Sequence, residues 1–320
     1  MPRATIHHPM NHIVLPSQIH GARLLPFLAL LGRPLSEGDV TVDFSKLRRV
    51  VPAAIVSLAA SVHLWERQRR QVHFSGVHEC EILGYLQRMD FFKACGVEMQ
   101  ESFQRWESKG RFVPVRMVTQ PIDEMGADVA GCLAPGGEDY EHPMSGLFDT
   151  IAYVLTEVGN NIRQHSGGVG YAAAQVNRQE GMIKMALADN GMGILKSFQS
   201  VEAPWSMSTT HAEAIAKALE PRISCKAGEP NEGVGLTLVG EMVSMMRGWL
   251  LVVSGNGVLI SRRDGSRTLE ELPEGAFYQG TLVAMSFPET AACHYADHLR
   301  KAKIKSGLLH PGSGRAILEP

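Results

Sequence analysis

The sequence predicts an α/β protein of two domains. Strand and helix patterns alternate over residues 1–118. Residues 144–290 run helix, strand hairpin, glycine-rich turns, helix and closing strands. A chain of 320 residues also has the length of two ordinary domains.

In the first region Val40-Thr41-Val42-Asp43-Phe44 reads as a strand. Pro52 opens an apolar helix, Ala53 to Trp65, where a missing N–H costs nothing. The helix ends in the charged run Glu66 to Arg70, read as a solvated end. Val72 and Phe74 suggest another strand, and Ile82 to Met89 another helix ending at Phe91-Phe92. Phe112-Val113-Pro114-Val115 is a last strand that can join either domain. Residues 119–143 hold Pro121, Gly126, Gly131 and Pro135-Gly136-Gly137, so they are expected to be a linker loop.

The second region opens with Leu147, Ile151, Val154, Leu155, Val158 and Ile162 at spacings of three and four, one buried helical stripe. Lys184 to Ala188 alternates as a strand end. Ala212, Ile215, Ala216 and Leu219 form a helical pattern, and Leu236 to Met246 another. Gly248–Ser254, Gly257–Ile260 and Gly280–Pro288 read as strands. A short helix, 291–305, and a disordered end are expected after Pro288.

Three segments carry chemistry. Glu157 and Asn161 are four apart and stack on one helix face. The Asn161 amide oxygen suits Mg²⁺, which also takes phosphate oxygens and waters. The Glu157 carboxylate can orient or deprotonate a water or hydroxyl. A solvated helix face explains the same spacing. Asp189 ends a strand before Gly191 and Gly193. A buried Asp there can accept from an exocyclic amine, and the glycines let backbone approach a flat ring; a plain Asp-Asn-Gly turn is the competing reading. The segment Asn231-Glu232-Gly233-Val234-Gly235-Leu236 leads into a helix, whose free N–H groups and dipole favour phosphate. A loop that merely starts a helix fits equally.

The order of these parts, closed by the Gly280-Thr281 strand, resembles the GHKL ATPases over residues 144–290. That superfamily includes sensor histidine kinases, anti-sigma-factor serine kinases and type II topoisomerase ATPase domains. The resemblance implies a Bergerat ATP-binding fold, a two-layer α/β sandwich with a mixed sheet. It implies ATP and Mg²⁺ as cofactors and Asn161 as the metal ligand. Glu157 would be the base or water-orienting carboxylate. Asp189 would read adenine N6, with Gly191, Gly193 and Ile194 shaping the base pocket. Gly233 and Gly235 would cradle phosphates, with Val234 and Leu236 among the cofactor-binding residues. Thr281 would lie near adenine, and His165 would share the Asn161 face. Residues 195–232 would be the ATP lid, where Lys226 either reaches a phosphate or is solvated. Asn231 stands where the family usually has a further glycine, and Asn tolerates left-handed backbone.

Over 1–118, the order of strand, Asp43-Phe44-Ser45, short loop, apolar helix and strand loosely resembles a STAS-type domain. In sigma-factor switches a GHKL kinase phosphorylates such a partner at a serine where loop meets helix. The corresponding stretch here, Val50-Val51-Pro52-Ala53-Ala54, carries no hydroxyl. A docking or sensing module is therefore expected, with a protein partner; GHKL proteins often pair, which allows a homodimer. His78-Glu79 reads as surface structure.

Net charge is −2, so nothing general favours nucleic acid. The apolar runs 24–31 and 53–65 fall short of the about 20 residues a membrane span needs. No signal-peptide pattern is seen, and five scattered cysteines read as reduced thiols. These features suggest a cytoplasmic protein. Two function classes follow. One is an Mg-ATP-dependent ATPase or protein kinase in signalling. The other is an ATP-gated interaction switch with little turnover. A degenerate domain that no longer binds nucleotide is a weaker third.

Overall fold

A computed structural model describes residues 11–223 and 234–310. The N-terminal unit contains β1 (Asn11–Val14), β2 (Gln18–Ile19), α1 (Leu24–Leu31), β3 (Val40–Asp43), β4 (Arg49–Val50), α2 (Pro52–Arg67), β5 (Val72–Ser75), α3 (Leu83–Arg88) and α4 (Phe91–Ala94). Strands β1, β3 and β5 form a parallel sheet in that order, and β2 pairs with β4 as a second parallel ribbon. Helix α2 starts where the sequence predicts. Val51 is extended, and Pro52 takes the first turn. Nearly the whole helix is buried, which a run of Ala, Ile, Val and Leu on every face permits.

The rest of the chain forms β6 (Phe112–Met117), α5 (Ile122–Leu133), α6 (Ser145–Asn161), β7 (Gly170–Asn177), β8 (Met182–Asp189), α7 (Ile194–Gln199), α8 (His211–Ala218), α9 (Gly235–Met245), β9 (Trp249–Gly255), β10 (Gly257–Ser261), β11 (Arg267–Glu271), β12 (Tyr278–Pro288), α10 (Glu289–Ala292) and α11 (Tyr295–Lys305). One seven-stranded sheet runs β11-β10-β9-β12-β8-β7-β6. Parallel pairing lies in the N-terminal sheets, whereas this large sheet, expected to be mixed, is antiparallel at every pair. Hairpins join β7 to β8, β9 to β10 and β10 to β11, and a hairpin can join only antiparallel strands.

Alternation gives the large sheet two buried faces. Ala172, Leu187, Val252 and Met285 pack in one core with α5, α6 and α9. Their strand neighbours Ala173, Ala186, Leu251 and Ala284 pack in a second core with α2. The helix layer on one face is the expected sandwich. The second face is closed by the N-terminal unit, so the helix and sheet layers continue across both halves. Small residues on both sides, Ala53, Ala59 and Ala60 against Ala186 and Ala284, let helix and sheet approach closely.

Three boundaries differ from the sequence expectation. Residues 119–143 are not a loop, because α5 occupies 122–133. Its apolar stripe of Ile122, Met125, Val129, Ala130 and Leu133 is interrupted in sequence by two glycines. Gly126 is where α5 meets α6: a Cβ there would sit 2.7 Å from the Thr156 hydroxyl oxygen and 3.1 Å from the Ala152 carbonyl oxygen. Strand β6, left between the domains by the sequence, is the edge of the large sheet; its Val115 N–H donates to the Met89 carbonyl at 2.8 Å. The expected tail helix is two helices, and Thr150 Oγ1 donates to the Ala292 carbonyl at 2.7 Å, which ties this region to α6. Among the described residues no helix is long and apolar enough to cross a membrane, and Cys80, Cys95, Cys132 and Cys293 are free thiols.

Candidate functional site

Asp189 is the last residue of β8 and is 2% exposed. Removing its carboxylate from water pushes its pKa up to about 7, while hydrogen bonds from the Gly191 and Thr281 backbones and the Ser166 hydroxyl pull it down. The Gly191 N–H donates to Oδ1 at 2.8 Å. A buried acceptor is thus held in place by groups from three separate segments.

The loop after Asp189 is shaped by close approach. A Cβ on Gly191 would overlap the Ser166 carbonyl, and the Met192 N–H donates to that same oxygen at 2.7 Å. This brings the end of α6, with its π-turn Ile162–Ser166, against the Asp189 loop. Gly193 has φ +79°, a conformation that favours glycine. Ile194 N–H donates to Ser254 Oγ at 2.9 Å, and Ser254 Oγ donates to the Gly280 carbonyl at 3.0 Å. Thr281 Oγ1 lies 3.3 Å from Ser254 Oγ. Gly280, at φ +101°, presses against the Asp189 carbonyl. Gln279 Nε2 donates to the Gly191 carbonyl.

Glu157 lies one turn before the end of α6 and is half-buried. A Cβ on Gly235 would overlap its Oε2, so the carboxylate sits against the first residue of α9. Burial raises the Glu157 carboxyl, the nearby Asp123 charge raises it further, and the Tyr153 hydroxyl opposes both. A carboxyl tuned upward is better matched to proton transfer near neutrality.

The remaining expected residues fall around these contacts. Asn161 is the half-buried last residue of α6, and His165 is half-buried in the π-turn that follows. Val234 is the N-cap of α9, and Leu236 lies in its first turn. Gly233 lies outside the described residues, as do Asn231 and Lys226. Part of the expected lid is helical: α7 and α8 fall within 194–218, and Ile215 is fully buried in the core that contains β9 and β10 residues. A capping box between Thr210 and Glu213 starts α8.

Among the described residues no group of three or more His, Cys, Asp and Glu could hold a metal. An Mg²⁺ ion here would take the Asn161 amide oxygen and draw its other ligands from phosphate and water, the usual pattern for that ion. Asp189 fits an adenine amine, because its buried carboxylate is an acceptor bordered by bare glycine backbone.

Sequence reasoning missed Ser166, Asn190, Ser254 and Gln279. Ser254 carried a signal: it is a hydroxyl ending the apolar run Leu250 to Val253, and a fully buried hydroxyl requires a partner. Asn190 was read only as turn chemistry, yet it is 3% exposed. No protein-family model matches this chain, and no curated protein matches it.

Proposed function

We propose that residues 144–290 form a GHKL-type Mg-ATP site in a regulatory protein that hydrolyses ATP or transfers its phosphoryl group to protein. The N-terminal unit serves as its docking or sensing module. The convergence of distant segments carries this reading. Glu157 meets Gly235, Ser166 meets Gly191, and Asp189 is bonded by Thr281. Adenine would be read by Asp189, with Gly191, Gly193 and Ile194 beside it. The amino end of α9, with Val234, Gly235 and Leu236, would face the phosphates. ATP supplies the transferable phosphoryl group; Glu157 holds or receives a proton from the attacking hydroxyl or water.

A second reading, an ATP-gated switch, is favoured by Asn190. Its side chain bonds α2 of the N-terminal unit, so the base-pocket loop and the partner module share one contact. Incubation of the full chain with γ-labelled ATP and Mg²⁺ tests both readings. Free phosphate supports hydrolysis, labelled protein supports transfer, and saturable ATP binding without either supports the switch. Asp189→Asn should weaken ATP binding. Wild-type protein that does not bind ATP at all would end the nucleotide reading.

A further inference from the structure

Helix α2 reaches from the Asn190 contact to a cavity at its amino end. This cleft, about 640 Å³, lies between the N-terminal unit and the large sheet. Its volume is that of pockets holding small organic ligands. The floor is a row across three strands: register sets Lys184 beside Ser286, and Ser286 beside Trp249. Two residues along, Ala186, Ala284 and Leu251 contribute to the core shared with α2, so the row continues the same sheet face.

The walls are cationic. Arg49 stands on one side, with Arg262 and Arg263 after β10 on the other. Two carboxylates also line the cleft, and both are engaged. Glu180 pairs with Lys184 at 3.3 Å, and Asp264 accepts from the Ser266 N–H and hydroxyl at 2.9 and 2.6 Å. Among the described residues neither Arg49 nor Arg263 has a carboxylate partner. His20, also in the lining, is held below its ordinary pKa by burial first and then by Arg49, Arg23 and Lys184. Four cationic side chains, Arg49, Lys184, Arg262 and Arg263, stand against these two carboxylates, so the lining keeps a net positive charge. Trp249 and Leu24 supply apolar surface beside it.

We propose that this cleft binds a small organic anion, its charged group toward Arg49 and Arg263 and its apolar body on Trp249. Guanidinium groups suit phosphate and carboxylate alike. The site stands on its own geometry and does not depend on the nucleotide reading.

Calorimetric titration of the full chain at low salt, with phenyl phosphate and with benzoate, tests it. Saturable binding of at least one is expected, and comparison of the two distinguishes phosphate from carboxylate ligands. Phenol, which has the ring without the anion, should bind at least about tenfold more weakly. Arg49→Ala with Arg263→Ala should weaken the anion by about tenfold or more. Both side chains are exposed, so the melting temperature should hold. Asp189→Asn should leave the titration unchanged, which separates this cleft from the site at the other end of β8. The proposal is overturned if neither anion saturates, if phenol matches them, if the double variant binds like the wild type, or if Asp189→Asn abolishes binding.

Discussion

The side-chain amide of Asn190 donates to the backbone carbonyl of Ala60, midway along α2, at 3.2 Å. Its Oδ1 accepts from the Val169 N–H at 2.9 Å. One buried side chain therefore joins the turn after Asp189, the start of β7 and the N-terminal helix. The Ala60 carbonyl already belongs to a helix, so the extra bond adds to that ladder without replacing a rung.

Asn190→Ala should destabilise the protein by about 1–3 kcal/mol, because it removes the buried bond to Ala60 and leaves the half-buried Val169 N–H without its acceptor. The shift of the urea midpoint at constant slope measures this. A change below about 0.5 kcal/mol would mean that the bond is replaced by solvent.

Two glycines should respond differently to alanine. At Gly280 the new Cβ would strike the Asp189 backbone carbonyl, and φ +101° is strained for any L side chain. Gly280→Ala should therefore cost about 2 kcal/mol or more in stability. At Gly235 the obstacle is the carboxylate end of Glu157, which can swing away. Gly235→Ala should keep the melting temperature within a few degrees while reducing ATP turnover. Equal losses of stability in the two variants would contradict this account.

Much of the architecture was legible because burial here follows simple periods. The stripe from Leu147 to Ile162 appears as read; β8 is a strand as read, but it is buried on both faces instead of alternately. Helix α5 was hidden by glycines that serve the approach to α6, since Gly126 lowers helix propensity while permitting the contact. The covering of the second sheet face by α2 was invisible for a different reason. Ala186, Ala188 and Ala284 look unremarkable in a strand, and only the chain crossing between units shows why they are small. At the candidate site, the order of the segments singled out Glu157 and Asp189 as candidates, but Ser254 and Asn190 act through partners more than twenty residues away. Such pairings depend on sheet register, which no local pattern contains.

Glu157→Gln tests the base assignment. The amide keeps the shape against Gly235 and cannot accept a proton, so phosphate release or protein labelling should fall by about 100-fold or more. ATP affinity, measured separately by titration, should change little. If turnover persists near the wild-type rate, Glu157 only orders the contact with α9.

The Asp189 carboxyl sets a pH dependence whose direction is fixed. Its folded pKa of about 7 stands well above the ordinary value near 3.9. Between those two values the native state holds a proton that the unfolded chain has released. Stability from this group is therefore complete below about pH 4 and is lost as pH rises through about 7. Adenosine binding should run the other way, because the ionised carboxylate is the stronger acceptor for an amine. Affinity for adenosine should increase from about pH 6 to about pH 8 as Asp189 ionises. Adenosine is the proper probe, since its lack of phosphate removes the titration that ATP would add. Asp189→Asn should flatten that profile and remove this group's contribution to the stability slope. A wild-type affinity that is constant across this range would show that Asp189 does not receive the amine.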